Sequence, residues 1–359
     1  MIGVRKYERL GDCVSAELIN HAAVVSYAKS ANIVTKGKVS RQTVRNKLLK
    51  LDVPEAEVGN EKKAVKELHV YADEDHVHMQ KPRKKRGKEN QIVPLVTVTE
   101  GTRNVSHGRN ETINPAHFVD ENFSSKNLWK SVEGYIDKAY NIAEIEKIYV
   151  HGDGGKWIQN GLDIFPQTEY VIDGYHFFKA LKGLSRNFPT RKVRQVITSA
   201  LRSDDSGLAD SFLYELWQTA LTEKERESAN SFASYLFAHW HAIRRRVMED
   251  LPGSCTEGQV SHVLSARFSR NPMGWSKAGL GKLSKVRVCI ENGWCITSRD
   301  MKPESKSENY SEYADRMIEE YVSGQFDWSI FKPYRATFDG ASGTQYVIRK
   351  VGQYRDMFS

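Results

Sequence analysis

Ile148-Tyr149-Val150-His151-Gly152-Asp153-Gly154-Gly155 reads as an interior strand that ends on a carboxylate set among glycines. A short apolar run bounded by turn residues is the pattern of a buried strand in an α/β sheet. Glycines there let the backbone approach a phosphate closely, and ligands of α/β folds gather at the carboxyl ends of strands. Asp153 is therefore well placed to hold a metal, the plain alternative being a Gly-Asp-Gly turn with no further role. The next strand, 169–173, closes in the same way on Asp173-Gly174-Tyr175-His176. His176 is placed there to contact phosphate or to orient a carboxylate or water, or else to cap the following helix.

Upstream, Leu68-His69-Val70-Tyr71-Ala72-Asp73-Glu74-Asp75 is a second strand-like run. Strand alternation puts Asp73 and Asp75 on one face, so either is a candidate for a site, unless the run is a solvated strand end. A third acidic residue, Glu257, opens the helix-like stretch Cys255-Thr256-Glu257-Gly258-Gln259-Val260. Taken alone a helical Glu is a solvated surface residue, and its weight comes from context. Carboxylates far apart in sequence but gathered by a fold suit magnesium, which takes hard oxygen ligands and keeps several waters. Two such ions about 3.5–4 Å apart clamp the attacking and leaving oxygens of a phosphoryl displacement. The chain reads first as an enzyme acting on nucleic-acid phosphodiesters.

Around these runs the pattern alternates. Strands are expected at 68–79, 91–99, 112–119, 147–153 and 169–173. A helix is expected at 126–141, where Leu128, Val132, Tyr135, Ile136 and Ala139 recur at helical spacing. This is a mixed α/β sheet. From about 176 to 250 the chain turns helical and aromatic, which reads as an insertion into the sheet domain. Residues 10–52 are also helical in pattern. Ser40 is a fitting N-cap, Val44, Leu48 and Leu51 share an apolar face, and Arg41, Gln42, Arg45 and Asn46 lie away from it. That is the shape of a helix-turn-helix recognition helix, or of an ordinary amphipathic helix with a basic outer face.

At 359 residues, 40% hydrophobic and 27% charged, the composition is that of a globular protein with a sizeable core. No apolar run is long enough to cross a membrane, and Met1–Glu8 are not followed by a signal core, so a cytoplasmic location is expected. The net charge of +8 favours a polyanionic partner. Lys81-Pro82-Arg83-Lys84-Lys85-Arg86-Gly87-Lys88 forms a basic loop between two expected strands, suited to a phosphate backbone. Arg244-Arg245-Arg246 and the segment 186–194 extend that surface. Cys13, Cys255, Cys289 and Cys295 have no zinc-type spacing and are expected to be reduced.

Five ordered motifs carry a resemblance. They are Ala72–Val77, His151-Gly152-Asp153-Gly154-Gly155-Lys156-Trp157-Ile158, Asp173–His176, Glu257–His262 and Arg267-Phe268-Ser269-Arg270-Asn271-Pro272-Met273-Gly274-Trp275-Ser276. Together they resemble the ISLre-type family of bacterial insertion-sequence transposases, over roughly residues 10–285. The resemblance implies a ribonuclease-H-like catalytic domain over 68–182 and 251–285. It also implies a helical insertion at 183–250 and a helix-turn-helix-like DNA-binding region at 1–60; a C-terminal region of unassigned role follows at 286–359. It implies an Asp-Asp-Glu triad of Asp73, Asp153 and Glu257, with His176 beside it and two Mg²⁺ or Mn²⁺ ions. The implied activity is hydrolysis at each element end, followed by attack of the freed 3′-hydroxyl on target DNA. Double-stranded DNA and a second copy of the chain are the expected partners. Arg41, Gln42, Arg45, Arg83, Lys84, Lys85 and Arg86 are the expected DNA contacts. Family members are expected to carry more sequence ahead of the helix-turn-helix-like region, so an end-recognition module is expected to be missing here. The competing readings are a transposase-derived DNA-binding protein without catalysis, and a cellular ribonuclease-H-like nuclease.

Overall fold

The computed structural model describes residues 9–55, 58–59, 61–80, 90–106, 109–249, 251–253, 255–270 and 274–301. The expected basic loop with Arg83, Lys84, Lys85 and Arg86 lies outside them, as does the C-terminal region beyond Met301.

Three helices come first: α1 (Asp12–Ala22), α2 (Tyr27–Thr35) and α3 (Arg41–Leu49). Ser26 and Ser40 cap the last two by accepting the backbone N–H of Lys29 and Thr43. Val44, Leu48 and Leu51 are fully buried, as the apolar stripe requires. Five strands then make one sheet: β1 (Glu67–His78), β2 (Asn90–Thr99), β5 (Ala116–Phe118), β6 (Lys147–Gly152) and β7 (Thr168–Ile172). Their spatial order is β5-β2-β1-β6-β7. β1 pairs antiparallel with β2 and parallel with β6, and β6 runs parallel to β7, so the sheet is mixed.

The expected strand 112–119 is shorter than its pattern. A separate hairpin, β3 (Thr102–Ser106) and β4 (Arg109–Thr112), occupies the preceding residues. Asn114 at a φ of 47° and Pro115 then break the run before β5 begins.

Alternation along β1 decides what each sheet face meets. Leu68, Val70 and Ala72 join Val96, Val98, Ile148 and Val150 under α4 (Ser125–Ala139). That helix buries Leu128, Trp129, Val132 and Ile136. The intervening residues His69, Tyr71, Asp73 and Asp75 face the other way.

After α5 (Lys156–Gln159) and β7, the chain enters five helices: α6 (Gly174–Asn187), α7 (Val193–Ser203), α8 (Ser206–Thr219), α9 (Glu223–Ala238) and α10 (Trp240–Met248). They enclose a core of their own, including Phe177, Leu181, Ile197, Leu213, Phe232 and Ile243. α10 returns to the sheet, where Arg245 donates to the Tyr170 carbonyl at 2.6 Å and pairs with Glu169.

The chain then forms α11 (Thr256–Val260), a π turn at Ser261–Ser265, α12 (Ala266–Phe268) and α13 (Lys277–Glu291). α13 shares a core with the three N-terminal helices and with Val77, Val93 and Leu95 of the sheet. Arg267 bonds the carbonyls of Ala22 and Val25 at 3.0 and 2.9 Å, tying the N-terminal helices to the same body.

Candidate active site

Parallel pairing builds the site. β1 and β6 match Tyr71 to His151, and β6 and β7 match Gly152 to Ile172. Carried past the last paired residues, that register sets Asp73, Asp153 and Asp173 in a row at the carboxyl ends of three adjacent strands. The Asp173 amide donates to the Gly152 carbonyl at 2.8 Å, so the ladder reaches the row itself. Period-two alternation then places all three carboxylates on the face opposite α4.

The three differ in environment. Asp153 is exposed and accepts the Gly155 N–H at 2.9 Å. Asp173 is 2% exposed. It caps α6, accepting His176 Nδ1 at 2.9 Å and the Thr256 hydroxyl at 3.2 Å. Asp73 is partly buried and accepts the Glu74 N–H at 2.8 Å. Burial first, then the negative charges of Asp153 and Asp173, push Asp73 up to about 6, against the Glu74 amide and His176. His176 is raised as well, which for an imidazole favours the charged form. Its hydrogen bond to Asp173, aided by Asp153 and Asp73, raises its pKa. Since the Asp173 carboxylate can only accept, Nδ1 carries the proton.

Asp75 belongs elsewhere. It is 7% exposed and both its oxygens accept the Ser269 hydroxyl, at 2.9 and 3.0 Å. It joins β1 to the end of α12, whereas Asp73 is the carboxylate coupled to Asp153.

Glu257 is exposed in the first turn of α11, and no hydrogen bond or ion pair joins it to the aspartates. Its neighbour Thr256 donates to Asp173, and Cys255 lies in the field of the same carboxylate. The helix carrying Glu257 thus starts at the row, beside the Thr256 bond to Asp173.

Two further elements wall the site. His239, between α9 and α10, presses on the loop after β6: a Cβ on Gly154 would lie 2.7 Å from its Nε2. Gly154 has a φ of 106°, so a side chain there is excluded by backbone and space together. Burial lowers the His239 pKa, and Asp153 opposes that shift. Arg246 of α10 donates to the Pro252 carbonyl at 2.7 Å and lies against Gly174, within the field of Asp173. Beneath the row, His69 Nδ1 and His151 Nε2 are 3.1 Å apart and buried. Burial pushes His69 down to about 4 and His151 well below its ordinary value, so both are neutral.

Among the described residues no three His, Cys, Asp or Glu side chains converge as a metal cage. Magnesium does not require one, being held typically by one or two carboxylates, waters and substrate phosphate. The fit is electrostatic. Mutually repelling carboxylates at Asp73, Asp153 and Asp173 are what a divalent cation would relieve.

The arginine run does not extend a free basic surface, as its sequence suggests. Arg244 pairs with Asp204 at 3.3 Å, Arg245 with Glu169, and Arg246 with backbone carbonyls. On α3, Arg41 and Gln42 are exposed and Arg45 is partly so, with the Gln42 amide donating to Asn46 at 2.8 Å. Asp173, His239 and Arg246 escape the sequence reading as members of the site. For Asp173 a signal was present, since it ends its strand as Asp153 does. The other two lie on α10 and the turn before it, whose return to the sheet no local pattern announces.

The profile of the Uncharacterised protein family (UPF0236) matches residues 1–307. The chain belongs to this family. Two UPF0236 proteins of Caldanaerobacter subterraneus subsp. tengcongensis are 35% and 34% identical to it over 295 residues, 81% of this chain. The chain spans 61% of the length of these relatives. Among solved structures, the Drosophila P element transposase strand transfer complex aligns with 96% of this chain and 91% of that one. That alignment has 12% identity and a TM-score of 0.26, too low to carry an argument about this UPF0236 member.

Proposed function

We propose that this UPF0236 chain is the catalytic part of a DNA transposase of an insertion sequence, with a ribonuclease-H-like domain cutting and joining phosphodiesters. One observation carries the reading: Asp73 and Asp153 meet at the ends of two parallel strands, and Asp73 is pushed up to about 6 partly by its neighbours' charge. Structural carboxylates are usually paired with cations or donors; a row of like charges at a sheet's carboxyl edge is the arrangement of a functional site. The mixed sheet, the helices inserted after β7 and the return of α11 to β1 support the ribonuclease-H-like reading.

In this account Asp73 and Asp153 are the first metal ligands, and Glu257 joins them from α11. Bound Mg²⁺ or Mn²⁺ would supply charge neutralisation at the phosphoryl oxygens and a more acidic water or hydroxyl. The residues themselves do the positioning. Asp173 holds His176 by Nδ1, which leaves Nε2 to accept a proton from a water or hydroxyl and, once protonated, to donate to a phosphate oxygen. Gly154, whose φ and lack of a side chain admit His239, fixes the turn that presents Asp153. Arg246 sets a positive charge beside Asp173, the buried member of the row.

The test is a strand-transfer assay with DNA carrying candidate element ends and Mg²⁺ or Mn²⁺. Hydrolysed ends and joined products lost in Asp153→Ala and Glu257→Ala, with DNA binding kept, support the transposase. Nicking without any joined product supports a nuclease instead. DNA binding with no wild-type cleavage supports a binding protein that has lost catalysis.

A further inference from the structure

Between α2, α3 and the start of α13 lies a cavity of about 590 Å³, separate from the aspartate row. Its walls include Arg41 and Arg45 of α3, Tyr27 of α2, Arg267 of α12, and Ser276 with Gly279 at the start of α13. No Asp or Glu is among its described lining residues. Arg41 and Arg45 have no carboxylate partner among the described residues.

Arg267 is 5% exposed and fixed in place. It bonds two backbone carbonyls and lies 4.8 Å over the Trp275 ring. Burial lowers its pKa to about 10, so it stays cationic at neutral pH, again without a carboxylate against it. The Tyr27 phenol stands in the fields of Arg267 and Arg45, and its buried hydroxyl has no hydrogen-bond partner. A buried polar atom left unpaired calls for a ligand or a water to complete it. α2 and α13 both begin here, capped by Ser26 and Ser276, and turn the positive ends of their dipoles toward the same space. Guanidinium groups, a hydroxyl and helix amino ends, with no acid between them, form surroundings suited to phosphate oxygens.

We propose that this cavity seats a backbone phosphate of a nucleic-acid strand, with Arg41 and Arg45 as the contacting cations and the Tyr27 hydroxyl as a further donor. The proposal rests on the nucleic-acid function proposed for the aspartate row and changes the part played by α3. A space of this size admits a nucleotide-sized group and not the groove of a duplex. α3 then grips the backbone and fixes register, and sequence is read elsewhere. The cavity joins the N-terminal helices to α13, so a strand held there is held at a fixed place relative to the sheet.

The test measures binding of two short duplexes of unrelated sequence by fluorescence anisotropy, across a salt series and in EDTA, so that no catalytic metal is involved. The full chain is compared with Arg45→Ala, Arg41→Ala and Tyr27→Phe, and with Lys130→Ala on α4 as a charge control. All four replaced side chains are exposed or partly so, and thermal melts check that each variant is folded. Each arginine variant is expected to weaken binding to both duplexes by about tenfold. Its slope of log affinity against log salt should become shallower by about 0.9 for every phosphate no longer neutralised. Tyr27→Phe should weaken binding a few-fold on both. Arginine variants no weaker than Lys130→Ala overturn the proposal while leaving DNA binding intact. Weakening on one duplex alone also overturns it, because that is base reading by α3. If the wild type binds neither duplex, the nucleic-acid reading itself fails.

Discussion

Asp73 and Asp153 stand beside one another across adjacent parallel strands, two positions beyond the pairing of Tyr71 with His151. Burial first, and that closeness second, carry a measurable cost. A carboxylate raised from 3.8 to about 6 is destabilised in its ionised form by the fold around it.

Asp73→Asn is therefore expected to stabilise the protein while removing activity. Between pH 4 and 6 the native state binds the Asp73 proton and the unfolded state does not, so this group's contribution falls as pH rises through that window. At pH 8 the variant should be more stable by on the order of 1–2 kcal/mol, after discounting for partial exposure. Denaturant melts at pH 8 measure this. Cleavage by the same variant should fall by a factor of about 10²–10³. A variant less stable than the wild type would mean that Asp73 is a structural carboxylate.

Ser269→Ala tests the division of labour between Asp73 and Asp75. It removes one of the hydroxyl donors to a buried carboxylate. It should cost about 1–3 kcal/mol in a urea melt. Metal affinity should stay at the wild-type level, because Asp75 is not part of the row.

The buried imidazoles set a second pH dependence with the opposite sign. His69 and His117 are both lowered to about 4, and His151 lies well below 6.5. Each binds a proton in the unfolded state before it does in the native one, so their contribution rises with pH between about 4 and 6.5. Three such groups outweigh the two opposing carboxylates in this window, Asp73 and Asp75. Melting temperatures should climb from pH 4.5 to 6.5, and more steeply in Asp73→Asn. A flat profile would place these histidines in contact with solvent.

Gly281→Ala probes the packing of α13. A Cβ at that position would meet the Glu121 carbonyl oxygen at 2.0 Å, and neither backbone can give way cheaply. A destabilisation of about 3 kcal/mol or more is expected in denaturant melts. Gly134→Ala, where a Cβ meets nothing, should cost nothing and serves as its control.

Much of this architecture is legible in the sequence because local signals agree with the fold. The apolar run before Asp153 gives β6, the stripe from Leu128 to Ala139 gives α4, and Ser40 with Val44 and Leu48 gives α3. The segment at 112–119 misleads because alternation continues through Asn114-Pro115, where the backbone turns. The run at Arg244–Arg246 looks like a free basic surface because its partners, Asp204 and Glu169, are distant in sequence. His239 and the Arg267 cavity are not legible for the same reason. Each depends on helices meeting across long separations, which periodicity does not encode. The resemblance carried by five motifs led to Asp73 and Asp153, which the sheet register brings together. It also pointed to Glu257, which lies in the first turn of the helix that starts beside Asp173.

Mn²⁺ binding followed by electron paramagnetic resonance tests most directly whether the aspartate row holds a divalent cation, as proposed. Wild-type protein titrated with Mn²⁺ should remove the free-ion signal. Asp73→Asn and Asp153→Asn should each restore most of it, while Ser269→Ala behaves as wild type. A wild-type protein that leaves Mn²⁺ free in solution, or an Asp73→Asn/Asp153→Asn double variant that still binds it equally well, would contradict the account.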